Sequence, residues 1–115
     1  MGGSFKESLL DELERNAREN KLKSIDEFLS KDEGYIKYGK PYSYMSGNID
    51  KYKEFVNIEI INILEAQAEA KKRMDYSAFV KKQRGEPNMT DDRVRNFRET
   101  GYYIDEYEKY VKGGK

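Results

Sequence analysis

The sequence predicts an all-α fold, and three observations carry that expectation. Apolar residues recur every three or four positions along most of the chain, the period of a helix with one buried face. Twice a serine is followed three positions later by a glutamate just ahead of an apolar run, the reciprocal cap that opens helices. No two segments of alternating apolar and polar residues flank a short turn, apart from one ambiguous stretch around Gly39.

The first capping pattern is Ser4-Phe5-Lys6-Glu7, and the helix it opens carries Phe5, Leu9, Leu10, Leu13 and Ala17 along one side. The second is Ser24-Ile25-Asp26-Glu27, which opens a short helix burying Ile25, Phe28 and Leu29 and running out near Gly34. Short connections between helices favour antiparallel neighbours, so these two are expected to pack side by side. A tyrosine-rich stretch follows, "GYIKYGKPYSYM", whose alternation over residues 35–44 reads as a small β-hairpin about Gly39-Lys40.

Ser46-Gly47-Asn48 supplies turn chemistry, and Ile49 begins the longest helix, expected to reach about Met74. At about 100° per residue, Ile49, Tyr52, Phe55, Val56, Ile60, Ile63, Leu64, Ala66, Ala70 and Met74 cover roughly half the circumference. Ile58, Ile61 and Ala68 widen that surface, so the helix is expected to be central to a compact bundle of five or six helices, or shared with a second copy in a homodimer. Glu59 falls inside the stripe and is expected at its edge, with its carboxylate in water.

Tyr76 to Gln83 makes a short helix bearing Ala78, Phe79 and Val80, broken where Gly85 and Pro87 punctuate. Thr90 caps the next helix, whose first turn holds Asp91 and Asp92, the charge its dipole favours, and which buries Val94 and Phe97. Gly101 ends or kinks it. Tyr103, Ile104, Tyr107, Tyr110 and Val111 then recur at helical spacing in a final helix.

The chain has 115 residues, a single-domain length that buries roughly two-thirds of its unfolded surface, and residues 1–115 are read as one domain with flexible tails at about 1–3 and 113–115. No apolar run is long enough to span a membrane and no signal-peptide pattern opens the chain, so a soluble, cytoplasmic protein is expected. Zero cysteines remove thiolate chemistry, and zero histidines remove the usual general base and the commonest transition-metal ligand. Neither a metal nor another cofactor is expected, and the chain is read as no enzyme. Glu54, Glu65 and Glu69 lie along one side of the long helix, but a bundle-type metal centre pairs such carboxylates with histidine.

Two segments stand out as candidate binding sites. Gly34 to Lys40 has the glycine-lysine spacing of a phosphate-cradling loop, yet an acidic helix precedes it and Pro41 stands where the magnesium-binding hydroxyl belongs. The phosphate reading therefore fails. Tyr35, Tyr38, Tyr42 and Tyr44, interleaved with Lys37 and Lys40, combine apolar rings with polar tips, as protein interfaces do; the alternative is a lid over the core.

The second segment is basic. Residues 1–70 carry 10 Lys and Arg against 14 Asp and Glu, whereas residues 71–98 carry 9 against 4. With Lys81 and Lys82 before the break, Arg84 at it, and Arg93, Arg95, Asn96 and Arg98 on the following helix, the segment loosely resembles a helix-turn-helix. Against duplex reading, the connection from Gln83 to Thr90 is long, and Asp91 and Asp92 would face the phosphates.

Small, charged, tyrosine-rich and without histidine or cysteine, the chain is similar in general character to the small inhibitors encoded by phages and mobile elements, anti-CRISPR proteins among them. That likeness implies a non-catalytic inhibitor or adaptor that binds another protein or a nucleoprotein complex and covers its functional surface. The rival expectation is a small nucleic-acid-binding regulator that uses residues 71–98.

Overall fold

A computed structural model of the chain describes residues 5–113, with side chains from Leu9 onward. The Ser4 cap, the tail expected at residues 1–3 and residues 114–115 of the tail expected at 113–115 lie outside the described residues, while Gly113 closes the last helix.

The protein is all-α: the described residues form eight helices and no strand. In chain order these are α1 (Phe5–Glu19), α2 (Ile25–Leu29), α3 (Glu33–Tyr38), α4 (Lys40–Ser43), α5 (Ser46–Ala70), α6 (Tyr76–Arg84), α7 (Asp91–Thr100) and α8 (Ile104–Lys112). The hairpin expected over residues 35–44 is replaced by α3 and α4, and the helix count exceeds the expected five or six for the same reason. The chain divides into two compact units, Met1–Val56 and Asn57–Lys115, with the division falling inside α5.

Local chemistry sets most boundaries. Ser24, Asp75 and Thr90 each accept a backbone N–H from three residues ahead, opening α2, α6 and α7. Four helix ends close by the same motif, a left-handed residue whose successor donates back into the last turn. Gly85 and Gly101 take that position after α6 and α7, where glycine adopts it without steric cost. After α1 and α5 it falls to Lys21 and Lys72, with Leu22 N–H donating to Ala17 O and Arg73 N–H to Ala68 O. A lysine there costs on the order of 1 kcal/mol, so the surroundings must hold it.

In the first unit, Leu10, Leu13 and Ala17 from α1 are buried, as are Ile25 and Leu29 from α2 and Ile49, Tyr52 and Val56 from α5. The rings of Phe28, Tyr52 and Phe55 cluster with centroids 4.8 to 6.0 Å apart. The buried Tyr52 hydroxyl donates to Lys23 O at 2.6 Å, fixing the connection that the strained Lys21 begins.

In the second unit, Ile60, Ile61, Leu64 and Ala68 from α5 are buried, together with Tyr76, Phe79 and Val80 from α6, Val94 from α7 and Tyr107 and Val111 from α8. Tyr76 and Tyr107 meet edge to face at 5.7 Å. The Tyr107 hydroxyl donates to Met74 O at 2.9 Å, Met74 N–H donates to the Tyr110 hydroxyl at 2.8 Å, and the Tyr76 hydroxyl donates to Tyr102 O. Lys71 and Arg73 cap the other end of the same arrangement by donating to Val111 O and Tyr110 O, the terminal carbonyls of α8. These bonds hold the left-handed Lys72 in place.

Burial pushes Tyr52 from its ordinary 10.0 up to about 12, and it raises Tyr76 and Tyr107 as well. The folded chain thus keeps three protons that the unfolded chain releases above pH 10, so the contribution of these rings to stability is level below that pH and falls as pH climbs toward 12 and beyond. Circular dichroism and tyrosinate absorbance recorded together against pH test this. Helix loss should accompany ionisation of these three rings, and their ionisation with the helices intact would contradict the burial.

A candidate docking surface and the basic segment

Asp32 organises the tyrosine-rich segment. Its carboxylate accepts the Gly34 N–H at 2.9 Å, opening α3, and also bonds the Tyr42 hydroxyl. These two donors hold the Asp32 carboxyl below its usual range, and the shared bond with Asp32 raises the Tyr42 phenol. The Tyr42 ring lies directly on Gly34, where a Cβ would stand 2.2 Å from ring carbons. A side chain at this position would have to push the ring aside, so the glycine serves this contact although in the sequence it resembles a helix stop.

Gly39, at φ +71°, breaks the chain between α3 and α4, and Pro41 in the first turn of α4 supplies a preset helical φ. The buried Ser43 hydroxyl donates to Asp26 at 2.9 Å, and the buried Asn48 amide donates to Tyr42 O at 2.8 Å. The two short helices are therefore pinned by polar bonds, with no buried apolar side chain of their own.

With those bonds directed inward, the apolar side chains of the segment face solvent. Ile36, Tyr38, Tyr44 and Met45 are 71%, 62%, 45% and 56% exposed, four of the five large hydrophobic residues so exposed among the described residues. Tyr38, Pro41, Tyr42 and Met45 line a shallow apolar groove of about 460 Å³. The Lys37 ammonium sits 5.3 Å from the Tyr38 ring centroid, and Lys40 is exposed at the start of α4. Of the predicted tyrosines, Tyr38 and Tyr44 thus face outward, Tyr35 is half-buried, and Tyr42 serves the fold with one side in the groove. Ile36, Pro41 and Met45 were not singled out from sequence; their signal was the apolar residues interleaved with the tyrosines.

The basic segment has a different character. Arg84 and Arg93 both bond Glu86, and both guanidinium groups lie over the Phe97 ring, 5.3 and 5.7 Å from its centroid. The two arginines hold the Glu86 carboxyl below its usual range. Arg95 pairs with Asp92 at 2.7 Å. Arg98 makes a two-pronged bond to Glu65 at 2.8 and 3.0 Å, with its guanidinium 5.2 Å from the Tyr76 ring centroid. Glu65 also accepts the Tyr76 N–H, so this pair fastens the start of α6. All four arginines predicted to read a partner are engaged within the protein; Lys82 and Asn96 are exposed, and Lys81 is half-buried.

Among the described residues no group of three carboxylates is placed to hold a metal ion, and no helix is long and apolar enough to cross a membrane. Comparison of the chain with protein-family models, with curated proteins and with solved structures gave no match.

The contact between Gly34 and Tyr42 is open to a double-mutant cycle. Gly34→Ala alone should destabilise the chain by about 1–3 kcal/mol in denaturant unfolding, because the new methyl displaces the Tyr42 ring. In a Tyr42→Ala background the same change should cost nothing or stabilise slightly, since alanine is the better helix former. An undiminished cost in that background would show that the ring is not what the methyl meets.

Proposed function

We propose that the chain is a non-catalytic protein-binding module, an inhibitor or adaptor that acts by covering a partner's functional surface, with α3 and α4 as its docking face. One observation carries this reading: the large exposed apolar side chains are concentrated between residues 36 and 45. Scattered surface hydrophobics need no explanation, whereas a contiguous apolar patch rimmed by polar groups is how interaction sites present themselves. Tyrosine suits such a face because its ring gives large contact area at low entropic cost.

Rigidity supports the same reading. The segment is fixed by bonds through Asp32, Ser43 and Asn48, so little ordering remains to be done on association. The high charge and the lack of histidine and cysteine fit the anti-defence type of inhibitor that anti-CRISPR proteins exemplify. A duplex reader would instead need arginines available for phosphates and guanine edges. Here Arg84, Arg93, Arg95 and Arg98 each have a carboxylate partner.

Capture from cell lysate with and without nuclease, repeated with Tyr38→Ala, tests the proposal. Capture should survive nuclease, and Tyr38→Ala should weaken it by on the order of 2 kcal/mol while leaving the unfolding midpoint unchanged. Tight, salt-sensitive binding of isolated DNA by the purified chain, indifferent to Tyr38→Ala and lost when Arg93 and Arg95 are replaced, would establish the rival nucleic-acid reading instead.

A further inference from the structure

The exposed strip of α3 carries both signs of charge around an apolar residue. Glu33, Ile36 and Lys37 are three and four positions apart, so they share one side of the helix, and all three are exposed. Ile36, at 71%, is the most exposed large hydrophobic residue described. Glu33 precedes Lys37 at the spacing of an intrahelical ion pair, yet neither belongs to an ion pair among the described residues. The Lys37 ammonium lies toward the exposed Tyr38 ring instead, which sets that ring beside the strip. The neighbouring carboxylates are already engaged: Asp26 accepts from the Ser43 hydroxyl, and Asp32 from the Gly34 N–H and the Tyr42 hydroxyl. Over the whole chain 22 basic residues balance 22 acidic ones, so two copies approach without net repulsion.

We propose that in the free chain a second copy covers this face, in a two-fold contact between antiparallel α3 helices. A two-fold axis passing beside residues 35 and 36 makes the strip its own complement. It brings the two Ile36 side chains together and sets Glu33 of each copy opposite Lys37 of the other. A strip of one sign would repel its own copy; one with opposite charges a turn apart attracts it, and Ile36 supplies the apolar burial that charge alone does not. The consequence rests on the docking reading above: pairing and partner binding use one face and exclude each other, so the dimer keeps the docking face closed until a partner displaces it.

Sedimentation equilibrium of the purified full chain, from micromolar to millimolar concentration, tests the pairing. The parent should show a monomer–dimer equilibrium, and Ile36→Glu should leave only monomer. Glu33→Lys and Lys37→Glu, each measured by itself, should weaken the dimer about tenfold or more, since each sets like charges opposite one another across the axis. An equimolar mixture of those two variants should pair as well as the parent, because one copy then presents only lysines to a strip that presents only glutamates. All three variants should keep the parent's unfolding midpoint, since these side chains are exposed.

A parent that stays monomeric throughout would overturn the pairing and leave the docking face to be judged by the Tyr38→Ala capture. A dimer untouched by Ile36→Glu would place the contact on another surface. Single charge variants that pair like the parent, or a mixture that pairs no better than they do, would overturn the antiparallel arrangement. Capture indifferent to Tyr38→Ala, with the dimer behaving as expected, would remove the docking reading and leave the pairing.

Discussion

Three buried tyrosine hydroxyls, each donating to a backbone carbonyl in a connection, are the interaction on which the rest of the structure depends. Tyr52 holds Lys23, Tyr107 holds Met74 and Tyr76 holds Tyr102. In each case one side chain both fills a core with its ring and satisfies a loop carbonyl with its tip. That pairing allows a chain of high charge and modest apolar content to fix its turns where lysine occupies left-handed positions that glycine would normally take. Tyr103, also left-handed, follows the carbonyl that Tyr76 engages.

The tyrosines divide into two groups by this criterion. Tyr52, Tyr76 and Tyr107 are fully buried and bonded, whereas Tyr38 and Tyr44 show most or much of their surface to solvent. Tyr42 stands between, clamped onto Gly34 by Asp32 on one side and lining the groove on the other. The same residue type thus builds the scaffold and presents the surface, and Tyr42 joins the two: what fixes its ring also fixes the wall of the groove.

Much of the helical pattern was legible in the sequence because caps and periodicity are local. Ser24 and Thr90 open α2 and α7 as their side-chain chemistry requires, Gly101 ends α7, and the buried stripe of α5 follows the expected spacing from Ile49 to Leu64, after which Ala68 is buried while Ala66 and Ala70, expected on the same stripe, are exposed. Helix α5 starts at Ser46, so the expected turn over residues 46–48 is its first turn, and it stops at Ala70 rather than near Met74, an end the sequence hides because a lysine at φ 57° gives no stop signal; what holds Lys72 comes from α8, some forty residues on. The stretch around Gly39 misled for a related reason. Alternating tyrosines imitate a strand, and Gly34 imitates a helix end, until the Tyr42 ring that needs its missing Cβ is in place. In the basic segment, clustered charge was legible but its partners were not, since Glu65 reaches Arg98 across 33 positions of sequence.

The most direct test of this division is the unfolding free energy of single tyrosine-to-phenylalanine variants, which remove a hydroxyl and leave the ring. Tyr52→Phe, Tyr76→Phe and Tyr107→Phe should each lose about 1–3 kcal/mol, because each strands a loop carbonyl that its hydroxyl satisfied. Tyr38→Phe and Tyr44→Phe should unfold like the parent chain. Equal, small losses in all five variants would contradict the account, since the hydroxyls would then not be what holds the connections.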